Sequence, residues 1–232
     1  YDSSVLTISG SVAKTYASRY SLPSPAVELY STLLSALTAG GISIGENVVE
    51  ESCTPDKTKA LLYKSPSRDN ILKVMMHKSD NLFAEGMLHT LADKAPKAVK
   101  RERDLWSSRG IDMSGSRWLD GSGLSPVERI SPRTLGQILS SMARSTGSAE
   151  YVALFPLAGR DGTVKSLLKD TRLEGRMALK SGSMNGVKCY AGYRLDLAGR
   201  PTHTVVIMVN GFSCKGSAVA KAIETYMLDI LP

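Results

Sequence analysis

Long apolar runs, cysteine, histidine and aromatic residues are all scarce in this 232-residue chain, and each shortage closes a class of function. No run approaches the roughly 20 apolar residues that cross a bilayer, so no transmembrane segment is expected, which leaves only peripheral membrane contact. Cys53, Cys189 and Cys214 are widely spaced and include no Cys-x-x-Cys, which argues against both a disulfide framework and a zinc ribbon. A single disulfide stays open. Cys189 alternates within a strand pattern and reads as a small buried apolar residue. His77, His89 and His203 lack the spacing of a zinc site, so neither a metal nor a cofactor is expected. A secretory leader is absent, and Tyr1 stands where Met would open a gene product, so the chain reads as processed or excised.

What remains is ordinary globular material. The 42% hydrophobic and 22% charged fractions build a real core, in one large domain or two small ones. The formal charge of +7 is read as a solvated basic surface. Its densest cluster, Lys94, Lys97, Lys100, Arg101, Arg103 and Arg109, is interleaved by a single aromatic, Trp106. That is a poor nucleic-acid footprint, and no nucleic acid is expected as a partner.

Periodicity divides the chain. Residues 5–12 and 16–22 read as extended segments. Ser24-Pro25 then opens a helix with Val27, Tyr30, Leu33, Leu34 and Leu37 on one stripe, ended by Gly40-Gly41. Residues 43–66 are turn-rich, with a short strand at Leu61–Tyr63. Helical patterns follow at 69–76, at 81–91 with Phe83, Met87 and Leu91 in line, and at 95–109. Ser116–Leu119 reads as a short strand before the turn Asp120-Gly121-Ser122-Gly123. Ser131-Pro132 opens another helix, with Leu135, Ile138, Leu139 and Met142 as its buried face. From Arg176 the period changes to that of strands, at 176–179, 187–197 and 203–210. A closing helix at 217–230 carries Val219, Ile223, Tyr226 and Ile230 on one face. Helices followed by an antiparallel meander predict an α/β (α+β) fold with helices on both faces of the sheet.

Two short motifs carry chemistry. Ser79-Asp80-Asn81 opens a helical pattern, and Lys180-Ser181-Gly182-Ser183 lies at the end of a strand. Alone, the first reads as a helix cap and the second as a strand exit. Together they supply what serine acyl transfer needs. Ser79 is placed to relay a proton to a leaving nitrogen, and Asn81 to hold a substrate amide. Lys180 offers positive charge to a carboxylate, Ser181 and Ser183 add hydroxyls to the same anion, the Ser183 backbone N–H serves as one oxyanion donor, and Gly182 belongs to the same substrate-binding stretch. Asp120 in DGSGLS is read as a tight turn rather than a cleft residue.

The stretches SDNLFAEGMLHTLA (79–92), DGSGLS (120–125), ISPRTL (130–135), FPLAGRDGTVKSLL (155–168), KSGSMNGVKCYAGY (180–193) and VVIMVNG (205–211) occur in order. As a set they resemble the C-terminal portion of D-alanyl-D-alanine carboxypeptidase/endopeptidases, the low-molecular-mass class C penicillin-binding proteins. The resemblance implies a serine β-lactamase/transpeptidase-like fold, incomplete at its N-terminus. Residues 1–23 would be the tail of an inserted accessory domain and 24–232 the C-terminal part of the catalytic domain. It also implies peptidoglycan stem peptides and β-lactams as partners, and a periplasmic or extracytoplasmic location. Where the family has Lys-Thr-Gly, this chain has Ser181, which keeps the hydroxyl.

The family's third motif, a Ser-x-x-Lys nucleophile at a helix start, has two matches here and neither fits. Ser11 to Lys14 falls between extended segments. Ser166 to Lys169 reads as helical but lies between the other two motifs, out of family order. The chain is therefore expected to lack its nucleophile. Two alternatives stand beside this: a non-catalytic module binding peptidoglycan peptides, and a β-lactamase or esterase relative. Ser79 and Lys180 are expected to meet at one cleft edge, since groups serving one substrate must lie within hydrogen-bond reach of it.

Overall fold

The computed structural model describes residues 25–43, 45 and 64–231. The extended segments expected at 5–12 and 16–22, the strand at Leu61–Tyr63 and Ser11 to Lys14 lie outside them. Two compact units are distinguished, Tyr1–Leu62 and Tyr63–Pro232. In the first, helix α1 (Pro25–Ala39) starts at the proline and ends at the paired glycines. The Gly40 and Ile42 N–H groups close on Ala36 O and Leu37 O at 3.0 and 2.9 Å, with Gly41 at a φ of 77° that glycine adopts without a steric penalty.

The second unit runs through α2 (Arg68–Lys78), α3 (Asn81–His89), α4 (Ala95–Ser108), α5 (Pro132–Ala143), α6 (Ser148–Val152) and a 3₁₀ turn at Gly162–Val164. Strands β1 (Met177–Met184), β2 (Val187–Leu195) and β3 (Pro201–Asn210) follow, and α7 (Gly216–Ile230) ends it. The strands form an antiparallel meander in the order β1-β2-β3. Alternation gives the sheet two apolar faces. Met177, Leu179, Tyr190 and Val205 pack against Val219, Ile223 and Met227 of α7. Ala178, Tyr193 and Leu195 pack on the other side against Leu139 of α5 and Val152 and Phe155 around α6. Helices therefore cover both faces, as the change of period predicted.

Burying a side chain such as Met227, at 0% exposure, stabilises by about 1.5–3 kcal/mol. A buried polar atom has to be satisfied as well, and Tyr193 Oη donates to Leu139 O at 2.7 Å inside this core. Two smaller cores link the helices in series. Trp106, Ile111 and Met113 meet Ile138 of α5, and Leu88 of α3 meets Ala98 and Val99 of α4, with Trp118 against both groups. That series ties the end of α3 to α4, and α4 to α5.

Several elements depart from the sequence pattern. β1 continues through Lys180–Met184, because its pairing with Val187–Ala191 persists beyond the apolar run. Lys180 is mid-strand, not at a strand end. Residues 116–119 make a single bridge, Arg117 to Arg129, instead of a strand. On α3 the buried residue is Leu88, while Phe83 is exposed and Leu91 lies beyond the helix end. On α7 Met227 takes the core position and Tyr226 and Ile230 face outward. Cys189 is half-buried and Cys214 exposed, both as free thiols.

The basic helix α4 spends its cations locally. Lys97 and Lys100 pair with Asp93 and Asp104 at 3.7 and 2.6 Å, Arg101 donates to Leu91 O, Arg103 to Met113 O at 3.2 Å, and Arg109 lies over Trp106.

Gly192 is the tightest point of the sheet. Its φ is 154°, and a Cβ there would stand 2.0 Å from Ala178 O on the neighbouring strand. Gly192→Ala is expected to destabilise the fold by about 3 kcal/mol or more, read as a lowered urea midpoint with near-native slope. An unchanged midpoint would show that β1 and β2 separate more easily than this contact implies.

Candidate active site

Ser79-Asp80-Asn81 forms an elbow between two helices. Ser67 caps α2 by accepting the Asn70 N–H, and the helix ends at Ser79, whose φ of 54° and ψ of 52° are left-handed. Asp80 N–H returns to Met75 O at 3.1 Å, and Asp80 Oδ1 accepts the Phe83 N–H at 3.0 Å to begin α3. The motif thus ends one helix, caps the next and puts Asn81, exposed, in the first turn of α3. A left-handed serine costs about 1 kcal/mol, and such positions cluster where the chain must aim a side chain.

The side chain is aimed at β1. Lys180 Nζ donates to Ser79 Oγ at 2.7 Å, across 101 residues of sequence, and to Ser181 O at 2.6 Å. Burial pushes the ammonium below its ordinary value of 10.5. No carboxylate among the described residues forms an ion pair with it, so its charge is held by a hydroxyl and a carbonyl alone.

The next residues divide their contacts. Ser181 Oγ lies 2.7 Å from Thr163 Oγ1, and Ser183 Oγ accepts from Lys188 Nζ at 2.7 Å. Gly182 stands beside Cys189, where an added Cβ would make ordinary contact at 3.6 Å. Alternation places Lys180, Gly182 and Met184 on the face that Ala178 presents to α5. Toward the far end of the strands lies a groove of about 810 Å³, with Met184, Val187, Cys189 and Met208 on the sheet side and Trp118 and Ile130 opposite. These apolar side chains suit an apolar segment or ligand.

Carboxylates order the loop bordering this groove. Asp120 accepts from Ser122 Oγ, Gly123 N–H and Ser125 N–H, the tight-turn role read from its sequence. Glu85, one turn after Asn81 on α3, accepts the Gly121 and Ser122 N–H groups at 3.1 and 3.0 Å. Glu128 accepts those of Leu119 and Asp120. Gly121 is required by space, because a Cβ would stand 2.5 Å from Ala84 O.

The structure therefore brings Ser79 and Lys180 into contact, starts α3 at Asn81, and seats Ser181 and Ser183 on the same strand as Lys180. It does not make a helix of Ser166 to Lys169. Those residues form turns, with Leu168 left-handed at a φ of 59°, so Ser166 and Lys169 do not share a helix face. Thr163, Glu85 and Lys188 were missed in the sequence. Glu85 had one signal, its spacing of four from Asn81 on a helix. Among the described residues no group of three His, Cys, Asp or Glu side chains could hold a metal ion.

A sequence model of the family described as D-Ala-D-Ala carboxypeptidase 3 (S13) matches residues 1–231. Carboxypeptidase DacB of Mycolicibacterium smegmatis is 33% identical over 141 residues, 56% of this chain and 31% of that protein. D-alanyl-D-alanine carboxypeptidase DacB of Haemophilus influenzae is 30% identical over 153 residues, 62% of this chain and 32% of that one. The chain spans about a third of the length of these relatives. In fold it is similar to the crystal structure of penicillin-binding protein 4 (dacB) from Haemophilus influenzae complexed with a novel β-lactam. That match has a TM-score of 0.73 and 22% identity, covering 91% of this chain and 52% of that one.

The shifted lysine sets a pH dependence. Because its folded value lies below 10.5, the unfolded chain holds the extra proton between the two values. The Lys180 contribution to stability therefore rises with pH through that window, and the penalty for the buried charge stands below it. Lys180→Met should be more stable than the wild type near neutrality, with the difference shrinking as pH approaches 10.5. Urea unfolding of both proteins across this range checks it; a difference that does not move with pH would mean that Lys180 carries no such penalty.

Proposed function

We propose a function from one premise: the chain belongs to the D-Ala-D-Ala carboxypeptidase 3 (S13) family. It is the part of a serine-type D-Ala-D-Ala carboxypeptidase/endopeptidase, a penicillin-binding hydrolase, that carries the proton-relay and carboxylate-binding elements. Residues 24–232 are read as the C-terminal part of its transpeptidase-like domain and residues 1–23 as the tail of an inserted domain. Its substrates are the stem peptides of peptidoglycan, which places its work in the periplasm or outside the cytoplasm. β-Lactams, as mimics of the acyl-D-Ala-D-Ala end, enter the same site.

The observation that carries this reading is the 2.7 Å hydrogen bond from Lys180 to Ser79. It unites the two recognisable motifs in one place. In the proposed reaction a serine hydroxyl attacks the carbonyl of the penultimate D-Ala. The bond to the terminal D-Ala breaks, and the serine proton reaches the departing amine through Ser79 Oγ. Water then hydrolyses the acyl-enzyme. Asn81 holds the substrate amide, and Lys180 with Ser181 and Ser183 receives the terminal carboxylate, which compensates the buried ammonium. The Ser183 N–H is one oxyanion donor, beside Gly182, where β1 has no side chain to obstruct an incoming acyl group. The attacking serine is neither Ser11 nor Ser166 and comes from a Ser-x-x-Lys helix start elsewhere in the longer protein.

Gel fluorescence and peptide mass spectrometry test the assignment. Incubated with fluorescent penicillin, the 232-residue chain is expected to form no covalent adduct, since losing the nucleophile costs on the order of a millionfold in turnover. It should still bind an N-acyl-D-Ala-D-Ala peptide, and Lys180→Ala should weaken that binding about tenfold or more, the scale of one charged hydrogen bond. A stoichiometric adduct on Ser11 or Ser166 would overturn the assignment of the nucleophile. Peptide binding indifferent to Lys180→Ala would remove Lys180 from the site.

A further inference from the structure

Serine at 181 differs from a threonine there in rotational freedom. Without a γ-methyl its hydroxyl turns among three staggered positions, where a β-branched side chain is held to fewer. In this structure a second hydroxyl meets it. Thr163 Oγ1, on an exposed residue, lies 2.7 Å from Ser181 Oγ, on a half-buried residue 18 positions away. We propose that Thr163 is a positioning residue for Ser181, holding the serine hydroxyl in one rotamer with its proton directed at the carboxylate of a bound peptide. This rests on the reading above that Lys180 and Ser181 receive that carboxylate.

The segment carrying Thr163 is built to stay in place. Gly162 has a φ of 58°, and a Cβ there would stand 2.6 Å from Pro156 Cβ and 3.0 Å from the carbonyl of His77. The backbone is therefore wedged between the last turn of α2 and Pro156, whose carbonyl accepts the Leu179 N–H of β1. On the other side of Thr163, Val164 is buried at 1% exposure. Asp161 Oδ1 accepts the Leu157 N–H at 2.8 Å, and Val164 O accepts the Gly159 N–H at 3.1 Å. Thr163 is exposed, yet both of its neighbours are fixed by buried contacts.

Proton counting gives the direction of the bond. Ser181 has one hydroxyl proton and two lone pairs. If it donates to Thr163, it turns only lone pairs toward an incoming carboxylate, which repels them. When Thr163 donates instead, the Ser181 proton remains for the carboxylate, so a bound anion selects this second arrangement. Thr163 is itself β-branched and has few rotamers from which to donate. The restriction that the Lys-Thr-Gly pattern builds into one residue is here divided between two. Ser183 is arranged in the same way: its hydroxyl accepts from Lys188 Nζ at 2.7 Å, which leaves its own proton for the carboxylate.

Two measurements on the folded chain test this. In the first, an N-acyl-D-Ala-D-Ala peptide and its C-terminal amide are titrated by NMR into the wild type, Thr163→Val, Thr163→Ser and the double variant Thr163→Val/Ser181→Thr. Thr163→Val is near-isosteric and removes only the hydroxyl. It should weaken the carboxylate peptide about tenfold, the scale of a hydrogen bond to a charged group, and leave the amide unchanged. Thr163→Ser should recover part of the loss. Ser181→Thr added to Thr163→Val should recover most of it, a coupling that a purely structural role for Thr163 does not produce.

The second measurement reads the Ser181 χ1 angle from three-bond couplings, with a single rotamer expected in the wild type and averaged rotamers in Thr163→Val. Carboxylate preference intact in Thr163→Val overturns the proposal, as does a Ser181 that keeps one rotamer without its partner. If the wild type binds neither peptide, the carboxylate-site reading fails, and the coupling measurement decides the role of Thr163 by itself.

Discussion

A lysine ammonium partly withdrawn from water needs polar partners, and Lys180 finds them in a serine hydroxyl and a peptide carbonyl rather than a carboxylate. A neutralised lysine would be a structural ion pair with little left for a ligand. This one retains an uncompensated charge, held by a rigid strand on one side and a strained helix end on the other. The surrounding architecture exists on terms that this contact sets. α2 has to end in the left-handed region, and β1 has to be fixed well enough to hold a charge against its tendency to return to solvent.

That fixation comes from packing on both faces of one strand. Met177 and Leu179 are anchored in the α7 core and Ala178 in the opposite one, all three at 0% exposure. Lys180 is the next residue, so it inherits a backbone held from above and below. The second core is stiffened by Tyr151, Phe155 and Tyr193, whose rings meet edge to face with centroids 5.4 to 6.4 Å apart. The elbow shares that core on one side, since Met76, three residues before Ser79, packs against the cluster that holds Ala178, while α3 beyond it joins α4 through Leu88, Ala98 and Val99.

How much of this was legible in the residues depends on range. Helix starts at Ser24-Pro25 and Ser131-Pro132, and the change of period at Arg176, rest on local chemistry, and the elements that follow appear as expected. Ser79, Asn81 and Lys180 were legible as motifs because their residue types are unusual in combination. The failures are of another kind. Strand pairing carries β1 past its apolar run, and only the partner strand decides that. On α7 the helical stripe allowed either Tyr226 or the adjacent Met227 to face inward, and the sheet beneath selects Met227. Thr163 could not be read at all, since its significance lies in one hydroxyl 18 residues away and in a glycine that fits where no side chain would.

The backbone of Ser79 sets two kinds of fitness against each other. At a φ of 54° glycine is the residue that relieves the chain at no steric cost, and it would strengthen the end of α2. It would also take away the hydroxyl that Lys180 binds. A laboratory selection that rewards heat resistance alone would therefore drift toward glycine at position 79, and the most durable descendants of this protein would be the ones that had given up the contact between elbow and strand.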